Sequence, residues 1–407
     1  MRDRLPTPGK ENRVKITQDD GTAVEGVLSY ADDATQEGSP YTKGNVLPDE
    51  VCNAYDLDTV TSEPKDAFLA VPRIMGKALL SVTVYKINGT PYPGVVIGGL
   101  TNIDTPRGTT NSNGGVTLYV DAGTYNLTFT PNPVCIDTSI PNKQVTVAAG
   151  GSGTVTTTEV SNGLTSLNVT SSRTVAFSSN VYGMRVFCVG GGGAGGAGAI
   201  GTSGVTSSAQ AGGGGGGYTT TANSVSFTKY QNYQLIVGSG GTASASGGSG
   251  GGTTSAFGVS ALGGHPGGSG IATPTGSYGN GGNGGSGGGG GGFNGGNAGS
   301  NGEDGNSGIN NSAMVLSEGG TGQGSTTRAF GESSGTLYSG GGGGGSGNLV
   351  ENGGSGGGGR GAWGNSAAVA GTPNTGGGGG GGGVGSRSYI GGNGGFGIIL
   401  LRWSNRT

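Results

Sequence analysis

The chain has 407 residues, enough for roughly two to four domains, and 102 of them are glycine, with 83 in residues 190–407. Lys and Arg number 20 against 23 Asp and Glu, and the net charge is −6 over residues 1–76, +2 over 77–189 and +1 over 190–407, so no basic face for nucleic acid is present. No apolar run reaches the roughly 18 residues of a membrane span, and the start, Met1-Arg-Asp-Arg-Leu-Pro-Thr-Pro8, has no apolar signal core, which makes synthesis in the cytoplasm without membrane insertion the expectation.

Residues 1–76 carry turn signals and little periodicity. Residues 13–17 and 23–28 suit a short hairpin across Gln18-Asp-Asp-Gly21, because Asp-Gly is a strong turn pair. The polar remainder suits an extended arm that orders on a partner, with a free tail as the competing reading.

Residues 77–160 read as a small β-sandwich. Leu80, Val82 and Val84 alternate with polar neighbours, as do Val116, Leu118 and Val120, then Tyr125, Leu127 and Phe129, then Val145 and Val147. Asn88-Gly89, Asn113-Gly114-Gly115, Ala122-Gly123 and Gly150-Gly151 separate these runs as turns. The run Val84-Tyr-Lys-Ile-Asn-Gly-Thr-Pro-Tyr-Pro-Gly-Val-Val96, with Thr110-Asn-Ser-Asn-Gly-Gly-Val116 and Asp121-Ala-Gly-Thr-Tyr125, resembles the carboxypeptidase-regulatory, transthyretin-like sandwiches. That resemblance implies a passive spacer without catalytic residues.

Strand character resumes at 167–169, 175–177 and 184–189, and the last of these runs directly into glycine. Glycine tracts then recur at 190–193, 212–217, 281–292, 340–345, 353–359, 376–383 and 391–395, some with Ser or Asn interruptions. Residues 233–237 and 396–403 read as strands between and after them. The 184–189 and 398–403 runs are expected to pair and bring the ends of this part together. Thr253-Thr-Ser-Ala-Phe-Gly258 recurs as Thr326-Thr-Arg-Ala-Phe-Gly331, a repetition that an unselected linker would not need.

A glycine-rich segment can be a disordered linker. Ordering each backbone costs about 1–2 kcal/mol, and glycine offers no side chain to offset it. Such a segment folds only if nearly every backbone donor and acceptor is satisfied. The polyproline-II-type helix meets that demand: it has three residues per turn, no internal hydrogen bonds, and donors projecting around its axis. Without Cβ atoms, neighbouring helices can approach and bond laterally. Glycine is then expected wherever a helix is surrounded, at Gly212, Gly217, Gly287, Gly292, Gly376 and Gly383, while Ser, Asn or Ala suit the periphery. Collagen needs a strict Gly-X-Y register and abundant proline, and residues 190–407 have only Pro266, Pro274 and Pro373.

The fold class expected is therefore all-β. A docking arm (1–76) precedes a sandwich (77–160) and a glycine-rich domain (161–407) whose strands frame a bundle of polyglycine helices. The residues 188–193, 212–218, 237–241, 372–383 and 394–403, ending Gly-Gly-Phe-Gly-Ile-Ile-Leu-Leu-Arg-Trp403, resemble the glycine-rich domains of phage and prophage tail fibres. The distal tail-fibre adhesins of T-even-like phages are among these. A related fold occurs in some animal receptor tyrosine kinase ectodomains, but no kinase is present here. The resemblance implies a bundle whose connecting loops bind a host receptor. The first 60 residues resemble N-terminal segments of tail proteins from phages of Gram-positive hosts. That implies docking on other tail or baseplate proteins, a virion location, and the homotrimer usual in such fibres, although no coiled-coil heptads appear.

Function on this scaffold is expected in the loops 200–211, 271–280, 293–318, 360–375 and 384–390. Their aromatic residues Tyr278, Phe293, Trp363 and Tyr389, among Asn, Ser and Thr, suit a surface glycan as partner. For each aromatic, packing on the bundle is the competing reading. A glycosidase would need two carboxylates about 5–9 Å apart, drawn from Glu303, Asp304, Glu318, Glu332 and Glu351. Glu303-Asp304 reads as a solvated turn rather than a calcium site. The single histidine, His265, reads as a turn residue before Pro266. The scattered Cys52, Cys135 and Cys188 read as reduced, buried thiols. No catalytic residue, metal or cofactor is therefore expected. The leading expectation is a receptor-binding adhesin. A structural decoration or collar protein and a polysaccharide depolymerase are the alternatives.

Overall fold

The computed structural model describes residues 13–17, 23–27, 49, 52, 57–59, 61–63, 66, 77–100, 108–201, 208–273, 277–292, 309–310, 315–316, 327–347 and 350–406. The described structure is all-β, and the chain divides into two compact units, Met1–Ile74 and Met75–Thr407. In the first unit, Arg13–Thr17 pairs antiparallel with Ala23–Val27, with Arg13 opposite Val27 and Thr17 opposite Ala23. The expected turn between them, and most of the arm, lie outside the described residues.

In the second unit, residues 77–161 form two main sheets around one core, with Thr138–Ser139 and Val160–Ser161 as a small third pair. Ser152–Thr158, Ala78–Tyr85 and Gly115–Val120 make a three-stranded sheet; Gly108–Thr109, Val96–Gly98, Gly123–Thr130 and Lys143–Val147 make a four-stranded one. Strict alternation of buried and half-exposed residues along Ala78–Tyr85 sends Leu80, Val82 and Val84 into the core with Leu118, Leu127 and Phe129. A buried polar junction ties this sandwich to the glycine-rich part. Fully buried Asp137 accepts hydrogen bonds from the backbone N–H of Ser178 at 2.9 Å and from its hydroxyl. Glu159 accepts from Tyr230 at 2.8 Å and from the N–H of Ile87 at 3.1 Å.

The glycine-rich part is organised on a four-stranded sheet in the order Ser166–Val169, Ile398–Asn405, Val181–Val189, Thr219–Ala222. The expected terminal pairing is present: Val189 lies opposite Ile398, and Val186 opposite Leu401. Both faces of its two central strands are covered, which is why Val181–Val189 and Ile398–Asn405 carry continuous apolar runs. One face packs Val186, Cys188, Ile399 and Leu401 against Phe177 and Leu235. The other packs Phe187, Val189, Ile398 and Leu400 against Ala329 and Phe330.

The repeated hexapeptide supplies part of both covers. Thr254–Ala256 returns as Val259–Ala261 through a tight turn at Phe257 (φ 50°) and Gly258 (φ 78°). In the second copy, Phe330 (φ 57°) and Gly331 (φ 69°) repeat that left-handed pair. There the chain returns only at Thr336, whose carbonyl accepts from the N–H of Ala329 at 2.9 Å. Phe257 faces one side of the sheet and Phe330 the other. Glycine follows each phenylalanine because two consecutive positive φ values are costly for residues with a Cβ.

Above the sheet the glycine tracts bond to one another in steps of three. Within 211–218, the N–H groups of Ala211, Gly214 and Gly217 donate to the carbonyls of Gly382, Gly379 and Gly376, each at 2.8 Å. Those of Gly212, Gly215 and Tyr218 donate to Gly268, His265 and Leu262 at 2.9 Å, and those of Gly213 and Gly216 to Gly289 and Ser286 at 2.8 Å. Carbonyls of the same tract accept from three further segments, through Gly282 and Gly285, Gly342 and Gly345, and Gly193 and Gly196. This tract thus has six neighbours, three receiving its donors and three feeding its acceptors. The period of three is that of the polyproline-II-type helix. Residues 376–383 are surrounded in the same way: they donate to 340–343, 193–196 and Val369, and accept from 211–217, 392–395 and 359–362.

The close approach accounts for glycine. A Cβ on Gly212, Gly214 or Gly217 would lie 2.0–2.1 Å from the carbonyl oxygen of Asn280, Gly193 or Gly190. Gly287 is buried, and its oxygen lies 2.0 Å from where a Cβ on Gly341 would stand. Gly292 donates to Gly345 O at 3.0 Å. Gly376, at φ +67°, turns the chain into its tract, and at Gly383 a Cβ would meet that of Ala362 at 3.0 Å. Asn280, Asn283 and Asn393 are exposed, as a peripheral place requires. Ala194, Ala211 and Ser286 are buried, which corrects the expectation that such residues stay outside. Ala194 is accommodated because its methyl faces Gly248, where a second Cβ would come within 2.9 Å. His265 corrects another expectation. It is not in a turn but in a bonded tract, with its side chain at the exposed position of every third residue.

Candidate functional site

The register of the tracts decides where their connections lie. Residues 190, 193 and 196 face 262, 265 and 268, and residues 192, 195 and 198 face 377, 380 and 383, so these three tracts run parallel away from the sheet. Gly341 and Gly344 face 287 and 290, and Gly358 and Gly361 face 341 and 344, again in parallel. Gly342 and Gly345 face 379 and 382, which links both sets in one direction. The tracts 211–218 and 389–396 return antiparallel. The tract ends at 199–201 and 208–209, 271–273 and 277, and 346–347 and 350, with the turns 363–366 and 384–388, therefore gather at the end of the bundle opposite the sheet.

Two of these turns are latched together. Asn365 Oδ1 accepts from the N–H of Ser386 at 3.1 Å and from its hydroxyl at 3.0 Å. Tyr389 donates its hydroxyl to the carbonyl of Asn365 at 2.8 Å, and the Arg387 guanidinium lies 5.0 Å from its ring. Tyr389 is 8% exposed, so it serves the tip as a packing post rather than as an open face. Half-buried Trp363 opens the 363–366 turn, where Ser366 N–H donates to its carbonyl at 2.8 Å. Tyr278 is half-buried directly after the bridge between Ile271 and Ser277, and burial pushes its phenol above the usual range. Phe293 lies outside the described residues.

The exposed chemistry of the tip is carried by other residues. Ile271 (59%), Ile390 (52%) and Ile200 (37%) stand out among exposed Asn365, Ser386, Arg387 and Ser388. The reading by aromatic residues missed Asn365, although Trp363-Gly-Asn-Ser366 is a run of turn-forming residues.

Among the described residues, Glu332 and Glu351 lie apart, one beside the sheet and one toward the tip. Glu303, Asp304 and Glu318 lie outside the described residues. Glu332 is bound by Arg185 and Arg402 at 3.0 and 2.8 Å, beside the sheet, and its hydrogen bonds to Arg402 and Arg185 hold its carboxyl below the usual range. Glu351 sits at the tip end beside Gly343 and Gly361, 6% exposed, with Oε1 unpartnered; burial pushes it up to about 7. The three cysteines are buried, and burial pushes the Cys188 thiol up to about 12. Among the described residues, no group of three or more His, Cys, Asp or Glu could hold a metal ion, and no helix is long and apolar enough to cross a membrane.

The family model described as a glycine-rich domain matches residues 165–404, more than half of the chain. The chain belongs to this glycine-rich domain family. The match begins just before the edge strand Ser166–Val169 and ends within Ile398–Asn405, so the glycine-rich domain comprises the sheet together with the bundle it carries. No curated protein matches the chain at a significant level.

Proposed function

We propose that the chain is a receptor-binding protein of a phage tail fibre or baseplate, and that its glycine-rich domain presents the tip turns to a glycan on the host surface. The observation that carries this reading is that several tract ends, with the turns 363–366 and 384–388, meet at one end of a laterally bonded bundle, where backbone spacing fixes their positions. The tip combines isoleucine side chains with amide and hydroxyl groups and a single arginine. Such a surface packs sugar CH groups and orients sugar hydroxyls. The resemblance of the tract pattern to tail-fibre adhesins supplies the virion context. Docking of the N-terminal arm on other tail proteins, a homotrimeric fibre and a Gram-positive host belong to the same proposal.

The test uses the labelled full chain and a panel of Gram-positive cells with their purified walls. Saturable binding that is lost in Ile271→Asp and Ile390→Asp, with no sugar released into the supernatant, supports an adhesin. Release of soluble saccharide would make it a depolymerase. Binding to no member of the panel would leave a structural virion protein.

A further inference from the structure

The second copy of the hexapeptide hairpin differs from the first by four extra residues, Glu332-Ser-Ser-Gly335, between Phe-Gly and the return of the chain. The first copy closes directly on its face of the sheet. The second packs Ala329 and Phe330 on its face, and its extra residues border a cleft of about 410 Å³ over the edge strand Ser166–Val169. That volume falls in the range of small-molecule sites.

The floor of the cleft follows from strand alternation. Leu167 and Val169 turn toward the opposite core, which leaves Ser166 and Asn168 on the cleft side. Both are exposed, and their side chains make no hydrogen bond among the described residues. Half-buried Tyr338 lines one side, beside the buried Phe330. Arg402 lines the cleft, with its guanidinium 4.3 Å from the Phe330 ring and one nitrogen on Glu332. Because Glu332 is also bound by Arg185, its single negative charge faces two positive ones, and the local balance is +1.

We propose that this cleft is a second binding site, distinct from the tip, for one acidic sugar unit of a polysaccharide. Half-buried Tyr338 offers its ring to sugar CH groups, Asn168 and Ser166 offer donors and acceptors to hydroxyls, and the surplus guanidinium charge around Glu332 selects a carboxylate. The four-residue insertion is what converts a structural hairpin into the wall of a site. The proposal does not rest on the tip reading, because the cleft lies at the sheet end of the domain.

The test is titration of the full chain with glucuronate and with glucose, followed by ligand-observed NMR and calorimetry. Glucuronate is expected to bind saturably and more tightly than glucose, and added salt should weaken it. Asn168→Ala removes no structural partner and is expected to weaken binding about fivefold, the value of roughly one hydrogen bond. Asn168→Trp fills the cleft and should abolish binding, while the tip variant Ile271→Asp should bind glucuronate as the wild type does. Absence of saturable binding, equal binding of glucose, or undiminished binding by Asn168→Trp in a folded chain would overturn the proposal.

Discussion

Replacing Gly214 with alanine puts the bundle under the sharpest test. The added Cβ would stand 2.1 Å from the carbonyl oxygen of Gly193 and 2.5 Å from its carbon, both backbone atoms. Ordinary contact begins near 3.4 Å, so one tract must retreat by about 1.3 Å. Gly214 itself donates to Gly379 at 2.8 Å and accepts from Gly342 at 2.8 Å, while the adjacent bond from Gly193 N–H to Gly215 O is also 2.8 Å. A shift of that size breaks about two of these bonds in a buried setting, at roughly 1–3 kcal/mol for each orphaned group. Against this, Gly→Ala restricts the unfolded chain, which favours folding by about 0.4–1 kcal/mol. The steric effect wins, and the expected loss is about 2–5 kcal/mol. Gly250 is the control. It is exposed, and a Cβ there would meet Gly264 O at 3.3 Å, so Gly250→Ala should change stability by less than about 1 kcal/mol in either direction. Urea unfolding of both variants beside the wild type reads the difference. If Gly214→Ala costs no more than Gly250→Ala, the lateral packing of the tracts is wrong.

The folded chain keeps Glu351 neutral up to about pH 7, whereas its ordinary value is 4.5, so folding retains an extra proton between these limits. Stability should therefore fall as pH rises from about 4.5 to about 7, and Glu351→Gln should flatten that slope in melting curves taken across the window. Asp137→Ala orphans the N–H and hydroxyl of Ser178 at the sandwich junction and should cost about 2–4 kcal/mol in urea unfolding. Asn365→Ala releases Ser386 from the 363–366 turn; a melting temperature within a few degrees of wild type with weaker cell binding is expected, and unchanged cell binding would count against the tip.

Much of this architecture was legible in the sequence, for identifiable reasons. The sandwich core followed from period-two alternation, since each strand has one buried face. The pairing of 184–189 with 398–403 followed from strand-like apolar runs flanking the glycine tracts at both ends. The bundle followed from the need to satisfy every backbone group in segments lacking side chains. What remained hidden depends on register. Whether Ala194 or Ser286 can be buried is set by the residue facing it across a tract, and no local pattern carries that information. The same holds for His265, placed in a bonded tract whose partners lie about 50 residues earlier and about 18 later in the chain, at Gly215 and Asn283. At the tip, the aromatic residues drew notice as ligand-like, yet Tyr389 is consumed by packing while the isoleucines are left outside. The cleft beside the sheet was hidden because Ser166 and Asn168 come together with Phe330 and Arg402 only through the fold.

The central claim is that the glycine tracts are ordered by lateral hydrogen bonds. Amide hydrogen exchange across 211–218 and 376–383, followed residue by residue in the full chain, tests it directly. Protection in both tracts comparable to that of the 181–189 strand is the predicted result. Exchange at the rate of an unstructured glycine chain would contradict the bundle, and with it the rigid tip on which the proposed function stands.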